Sequence, residues 1–271
     1  MTLDLEDVLA GWHCPAGEIC ARAVTGRDGA ELVQLRVDMG VMQMFPDGRP
    51  DGRRYRGMPS VLEYARHETR LGGAELAAED WRELERELHQ TNYRRLALTS
   101  LAEEALRRDD VAAAVVHLRR ACRDIDTCLT HLRLAGEHWR DGLGQGSWAL
   151  RPTLVFHRGR LGAQLRIAEG RCEQAVEEAA AGAGELDKLL AELGYDEEQR
   201  EEDPGVVFLR RLEERLRREY DVSATLRERL EQALAQEDFE AAARLRDELQ
   251  QREQDAPRGP SDADGRTRPT S

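Results

Sequence analysis

From Val33 to Val41 the chain alternates strictly, with Val33, Leu35, Val37, Met39 and Val41 separated by Gln34, Arg36, Asp38 and Gly40. An apolar period of two puts one side of an extended segment on a core and the other in water, so this stretch predicts a half-buried strand. The weaker candidate EICARAV, Glu18 to Val24, precedes it, and the intervening TGRDGA carries the Asp-Gly signal of a tight reversal. Together they predict a β-hairpin. FPDGRPDGRRYRG follows, and its two Asp-Gly pairs and two prolines favour consecutive turns. In PSVLE, Ser60 can cap a helix that has Glu63 three residues on, which predicts a short helix through about Glu68.

The period then changes to that of a helix. Trp81, Leu84, Leu88, Leu98, Leu101 and Ala105 recur at helical spacing before Asp109 and Asp110. Val111, Val115, Leu118, Cys122, Ile125, Leu129 and Leu132 line one side of a second helix. These two predict an antiparallel helical hairpin. Glycines and a proline interrupt in AGEHWRDGLGQGSWALRP, and two further helices follow around Gly170. A constant shift of 61 lays Ala102, Asp109, Ala114 and Ala121 on Ala163, Gly170, Ala175 and Gly182. This small-residue pattern resembles that of the tetratricopeptide repeat, whose small side chains let paired helices approach closely, although only two units are visible and their spacing exceeds that family's.

The predicted fold class is mainly α: antiparallel helical hairpins, a TPR-like array or bundle, with a small N-terminal β-hairpin module and a C-terminal helical hairpin. The divisions are a small α+β module over 1–70, helices over 71–195, an acidic linker and charged helix over 196–221, a helical hairpin over 222–254 and a disordered tail over 255–271. The tail holds no large apolar residue.

Composition narrows the function. A net charge of −13 with no long basic run repels nucleic acid, so none is expected as a direct partner. No apolar run is long enough to span a membrane and the first residues are acidic, so a cytoplasmic chain without membrane contact is expected. The five cysteines, Cys14, Cys20, Cys122, Cys128 and Cys172, are read as reduced thiols. A zinc site built on His13, Cys14 and Cys20 lacks the usual close ligand pair, and a turn with a packed cysteine is the plainer reading. The seven histidines are scattered, and even His117 and His131, which can share a helix face, are read as surface or satisfied core residues. No G-x-S-x-G, H-E-x-x-H or G-x-G-x-x-G occurs. No catalytic residue, cofactor or metal is assigned, and the chain is read as not an enzyme.

The strongest local signal lies in TLRERLEQALAQEDFEAAARLRDELQQR, Thr225 to Arg252. Leu226, Leu230, Ala233 and Leu234 make an apolar stripe, AQED breaks it, and Phe239, Ala242, Ala243, Leu245, Arg246 and Leu249 resume it. Asp238 stands where its carboxylate can accept the free amides of the second helix. Asp238, Phe239, Glu240, Ala242, Ala243, Arg246 and Asp247 match the signature of the UVR motif. The segment resembles that helical hairpin, which is found in the excision-repair proteins UvrB and UvrC and in ClpC and its McsA-type adaptors.

The resemblance implies a protein-association module whose partner is another UVR-containing protein or a second copy of this chain. It makes the alanines points of close approach, Phe239 an anchor in the seam, and Arg246 with Asp247 a register-setting pair. A hairpin this small must dock on something, because it cannot bury its own apolar face. Helicase activity is not carried over: no phosphate-binding loop occurs, and Lys188 is the sole lysine. The expected function is a non-catalytic adaptor or scaffold of bacterial type. Alternatives are a small-ligand sensor or enzyme subunit with a site at Asp47, Arg49, Asp51, Arg53, Arg54 and Arg56, or an accessory to a DNA-repair or Clp-type protease complex.

Overall fold

A computed structural model describes residues 5–15, 17–37, 40–70, 76–138 and 145–254. In chain order the elements are α1 (Leu5–Leu9), β1 (Ala21–Thr25), β2 (Glu31–Val37), β3 (Gly40–Met44), α2 (Val61–Arg70), α3 (Ala78–Arg107) and α4 (Val111–His138). They continue as α5 (Gln145–Trp148), α6 (Leu150–Ala168), α7 (Cys172–Glu192), α8 (Glu197–Glu201), α9 (Pro204–Glu219), α10 (Leu226–Ala235) and α11 (Phe239–Gln254). The fold is mainly helical with a small N-terminal antiparallel sheet, as the periodicity predicts. None of the described helices is long and apolar enough to cross a membrane. The predicted disordered tail lies outside the described residues.

The predicted hairpin is present, with Ala21 opposite Leu35 and Thr25 opposite Glu31. It is extended by a third strand: Gly40 and Val41, which alternation assigns to the same strand as Val33, belong to β3, where Val37 pairs with Gly40 and Val33 with Met44. The apolar phase inverts across the reversal: Met42 and Met44 join Val33 and Leu35 on the core face, while Val41 pairs with Arg36 on the other face, so the alternation through Val41 is continuous in sequence only. Val33, Leu35 and Met44 are buried in one core with Leu88, Leu98, Leu118 and Ile125, and the sheet lies on α3, which pairs with α4.

The helices form consecutive antiparallel pairs, α3 with α4 and α6 with α7, and α9 then packs on α7 through Val206, Leu209, Leu212 and Leu216. The shift of 61 holds at the level of single hydrogen bonds. Asp109 and Gly170 both adopt positive φ, 60° and 74°. Asp110 N–H donates to Ala105 O at 2.9 Å and Arg171 N–H to Arg166 O at 2.8 Å. These are Schellman turns, which satisfy the last carbonyls of a helix through one left-handed residue. The α10–α11 connection repeats them, with Glu237 at φ 58° and Asp238 N–H on Ala233 O at 2.9 Å. Of the small residues matched by the shift, Ala102, Ala114, Ala121, Ala163 and Ala175 are fully buried.

A polar layer ties the N-terminal loop to α3 and α4. Arg94 makes a two-pronged pair with Asp124, at 2.7 and 2.8 Å, and donates through Nη1 to Phe45 O and Gly48 O. Glu87 accepts Val61 N–H at 2.8 Å and lies 3.2 Å from His131 Nε2, so His131 is a satisfied core histidine. Ser60 Oγ accepts Glu63 N–H at 3.1 Å, the predicted cap of α2.

One expectation is overturned. Cys14 and Cys20 form a disulfide, where reduced thiols were expected, while Cys122, Cys128 and Cys172 are free. The segment between them folds back until their Cα atoms are 5.8 Å apart, within bridging range. Cysteine count carries no information about that local geometry. The bridge also removes both thiols as ligands for the zinc site considered with His13.

Candidate functional site

Local chemistry builds α10 and α11. Thr225 opens α10 by accepting Glu228 N–H at 3.3 Å, and the Glu228 carboxylate returns to Thr225 N–H at 2.9 Å, a reciprocal cap. Asp238 opens α11 as predicted, accepting Ala241 N–H at 2.9 Å. Glu237 and Asp238 therefore end one helix and start the next within two residues.

Of the predicted contact residues, Leu226, Ala233 and Ala242 are buried, and Leu230, Ala243 and Leu249 are half-buried. Leu234 and Phe239, on either side of the turn, project into solvent at 51% and 68% exposure. Phe239 is the most exposed large apolar side chain among the described residues. Thus Ala242 seals the hairpin's own seam, and Phe239 three residues earlier lies outside it. Glu240 is exposed, and Arg246 and Asp247 pair with each other at 3.0 Å, with side chains 62% and 67% exposed.

The hairpin is held to the array through polar contacts at its base. Leu226 N–H donates to the Glu173 carboxylate, and Arg252 Nη2 donates to Glu177 Oε2 at 2.7 Å. Arg227 lies 3.6 Å from the same Glu177 oxygen, and Arg217 pairs with Glu228. The Arg217 hydrogen bond, with help from Thr225 N–H, holds the Glu228 carboxyl below its ordinary value against a smaller opposing effect of burial. A polar cavity of about 630 Å³ separates the hairpin from α6, α7 and α9, lined by Arg158, Arg166, Glu178, Arg217, Glu228 and Arg252 among others. Nothing in the sequence marks Glu173 or Glu177, because each is one of many acids on a charged helix and its partners lie fifty or more residues away.

No family model, curated protein or solved structure matches this chain. The site therefore rests on its own geometry.

The Asp/Arg-rich loop is engaged internally. Asp47 accepts from Arg120 at 2.8 Å and also from Arg123. Burial opposes ionisation of Asp47, yet these two guanidinium groups hold its carboxyl below the ordinary value. Arg49 is buried among Asp51, Glu83 and Glu87 at 3.1, 3.0 and 3.4 Å. The backbone of Arg53 donates to Asp51, the guanidinium of Arg54 closes on Gly57 O at 2.8 Å, and Arg56 pairs with Asp80 at 3.0 Å. Gly52, at φ 69°, allows the loop to wrap Phe45, since a Cβ there would stand 2.4 Å from the ring.

Proposed function

We propose that the chain is a non-catalytic adaptor or scaffold that recruits another protein through residues 222–254. The observation that carries this reading is the exposure of Phe239 and Leu234 at the tip of a hairpin whose base is fastened and whose seam is already filled by Ala233 and Ala242. A large aromatic kept in water at such a point is unfavourable for the isolated chain and suits an anchor that enters a partner's pocket. The UVR resemblance supports a second helical hairpin as that partner, on a UVR-containing protein or a second copy of this chain. The TPR-like array then serves as a platform behind it. The acids and arginines around Phe239 form a polar rim, and Arg246 with Asp247 can exchange their mutual pair for a cross-partner one.

Affinity capture from cell extract, with sedimentation to reveal self-association, tests this reading. Phe239→Ala is expected to weaken the partner about 30-fold, the loss of roughly 2 kcal/mol associated with an interface anchor. Arg246→Glu should weaken it further through repulsion. Retention of every partner by both variants would sink the reading.

A further inference from the structure

Arg95, in the middle of α3, is only 3% exposed. Its Nε and Nη2 both donate to Asn92 Oδ1, at 3.1 and 2.8 Å, one turn earlier on the same helix. Its Nη1 is sealed from solvent and has no hydrogen-bond partner. The contrast with its chain neighbour is direct: Arg94 is neutralised by Asp124, while a neutral amide oxygen is the one side-chain acceptor of Arg95 among the described residues. Arg95 feels the Asp124 carboxylate, but that group is hydrogen-bonded to Arg94 and Arg123; a buried guanidinium with no carboxylate of its own carries a desolvation cost of several kcal/mol, which an approaching anion lowers.

Two side chains of α6 add to the same need. His157 Nδ1 and Arg160 Nε are likewise buried and without partners. Burial first, then the charges of Arg95 and Arg160, push the His157 ring down to about 4, so it is neutral and can donate from one nitrogen at neutral pH. The charge of Arg160 also acts on Arg95, adding to the effect of burial. A trapped water would satisfy a donor and leave the charge uncompensated. Arg160 sits at the rim, its side chain 27% exposed, and its nearest carboxylate is Glu103, 3.4 Å away and 46% exposed. So weak and solvated a pair exchanges readily for another anion.

We propose that Arg95, His157 and Arg160 bind an oxyanion, the carboxylate or phosphate group of a ligand, on the side of the array formed by α3 and α6. Asn92 orients the Arg95 fork, and Arg160 opens the site by leaving Glu103. This inference is independent of the hairpin. Two charged, planar donor groups and a neutral imidazole suit the several acceptor oxygens of such a group.

Thermal unfolding of the full chain in sodium phosphate, or in sodium acetate, against sodium chloride at matched ionic strength and pH 7 tests the proposal. At an anion concentration ten times its dissociation constant, the arm that binds should raise Tm by about 3 °C. Phosphate alone acting identifies a phosphoryl ligand, acetate alone a carboxylate ligand, and either result supports the site. His157→Gln and Arg160→Gln lie at half-buried positions and should abolish the rise. In the unaltered chain the His157 ring, followed by NMR, should titrate at higher pH when the anion is bound. Equal Tm in all three salts, or a rise that survives in both variants, overturns the proposal.

Discussion

Single residues show how an arginine-rich chain builds a polar interior. Arg94 and Asp124 are both buried and satisfy each other through two parallel hydrogen bonds, with the remaining Arg94 donor closing the carbonyls of Phe45 and Gly48. Removing Asp124 leaves the buried Arg94 charge without compensation, which costs about 3–5 kcal/mol, whereas removing Arg94 leaves Asp124 still paired with Arg123 at 3.0 Å. Asp124→Asn should therefore lower the urea unfolding free energy by about 3 kcal/mol, with Arg94→Ala similar because the loop carbonyls lose their donor. An unchanged unfolding midpoint for both variants would remove this pair from the fold's support. Protonation gives a second test. His157 titrates near 4 when folded, against about 6.5 unfolded, and His117 is lowered chiefly by its burial. The unfolded chain thus takes up protons that the folded chain refuses, and stability declines as pH falls from about 6.5 toward 4. Asp47 and Glu87 are held below their ordinary values, Asp47 by Arg123 and Arg120 and Glu87 by His131 and two backbone amides, in each case against burial. Their contribution is present above about pH 4 and is lost as pH falls through their folded values. Urea midpoints measured between pH 7.5 and 3.5 should fall throughout. His157→Gln should flatten the upper part of that profile and leave the lower part.

At the scale of elements, α6 and α7 approach closely at two facing glycines. A Cβ on Gly182 would lie 2.7 Å from Gly159 Cα, and one on Gly159 would lie 2.9 Å from Gly182 Cα. Neither backbone can yield without parting the helices, so Gly182→Ala should destabilise by about 1–3 kcal/mol despite its better helix propensity. Denaturation of this variant beside Gly184→Ala, whose Cβ meets nothing within 4 Å, separates packing from propensity. Equal effects would remove the close approach as a cause. The shift of 61 laid Ala121 on Gly182 as equivalent positions of two units, and the turns at Asp109 and Gly170 share one geometry. Such local features are legible because helix period, small residues and left-handed turn positions are written in adjacent residues. The third strand was hidden, since Val41 continues the alternation of β2 in sequence although it lies on the opposite face, with Met42 and Met44 turned to the core instead. The Cys14–Cys20 bridge was hidden too, because it depends on a spatial approach of the two Cα atoms that cysteine spacing does not reveal. At the hairpin, Asp238 as a cap was readable from its position before an apolar stripe. The opposite fates of Phe239 and Ala242 were not, because the stripe does not say which of its members face the companion helix.

The whole molecule combines a fixed array with a hairpin fastened mainly by charge. The array shares continuous cores from the sheet through α3, α4 and α6 to α7 and α9, whereas α10 and α11 contact chiefly each other. Their attachment through Glu173, Glu177, Arg227 and Arg252 is partly buried and ionic, so salt screens it while leaving apolar cores intact. Amide exchange in α10 and α11 should accelerate about tenfold or more in 1 M sodium chloride, or in Arg252→Gln at low salt, with exchange in α4 and α7 little changed. Parallel acceleration in all helices would mean that the hairpin is an integral part of the core. The same separation makes Phe239→Ala a clean probe of docking. A side chain 68% exposed contributes little to folding, so this variant should unfold within about 0.5 kcal/mol of the unaltered chain. A partner lost by Phe239→Ala is then lost from the contact surface, while a variant that unfolds early would place Phe239 in the fold's own support and withdraw it as an anchor.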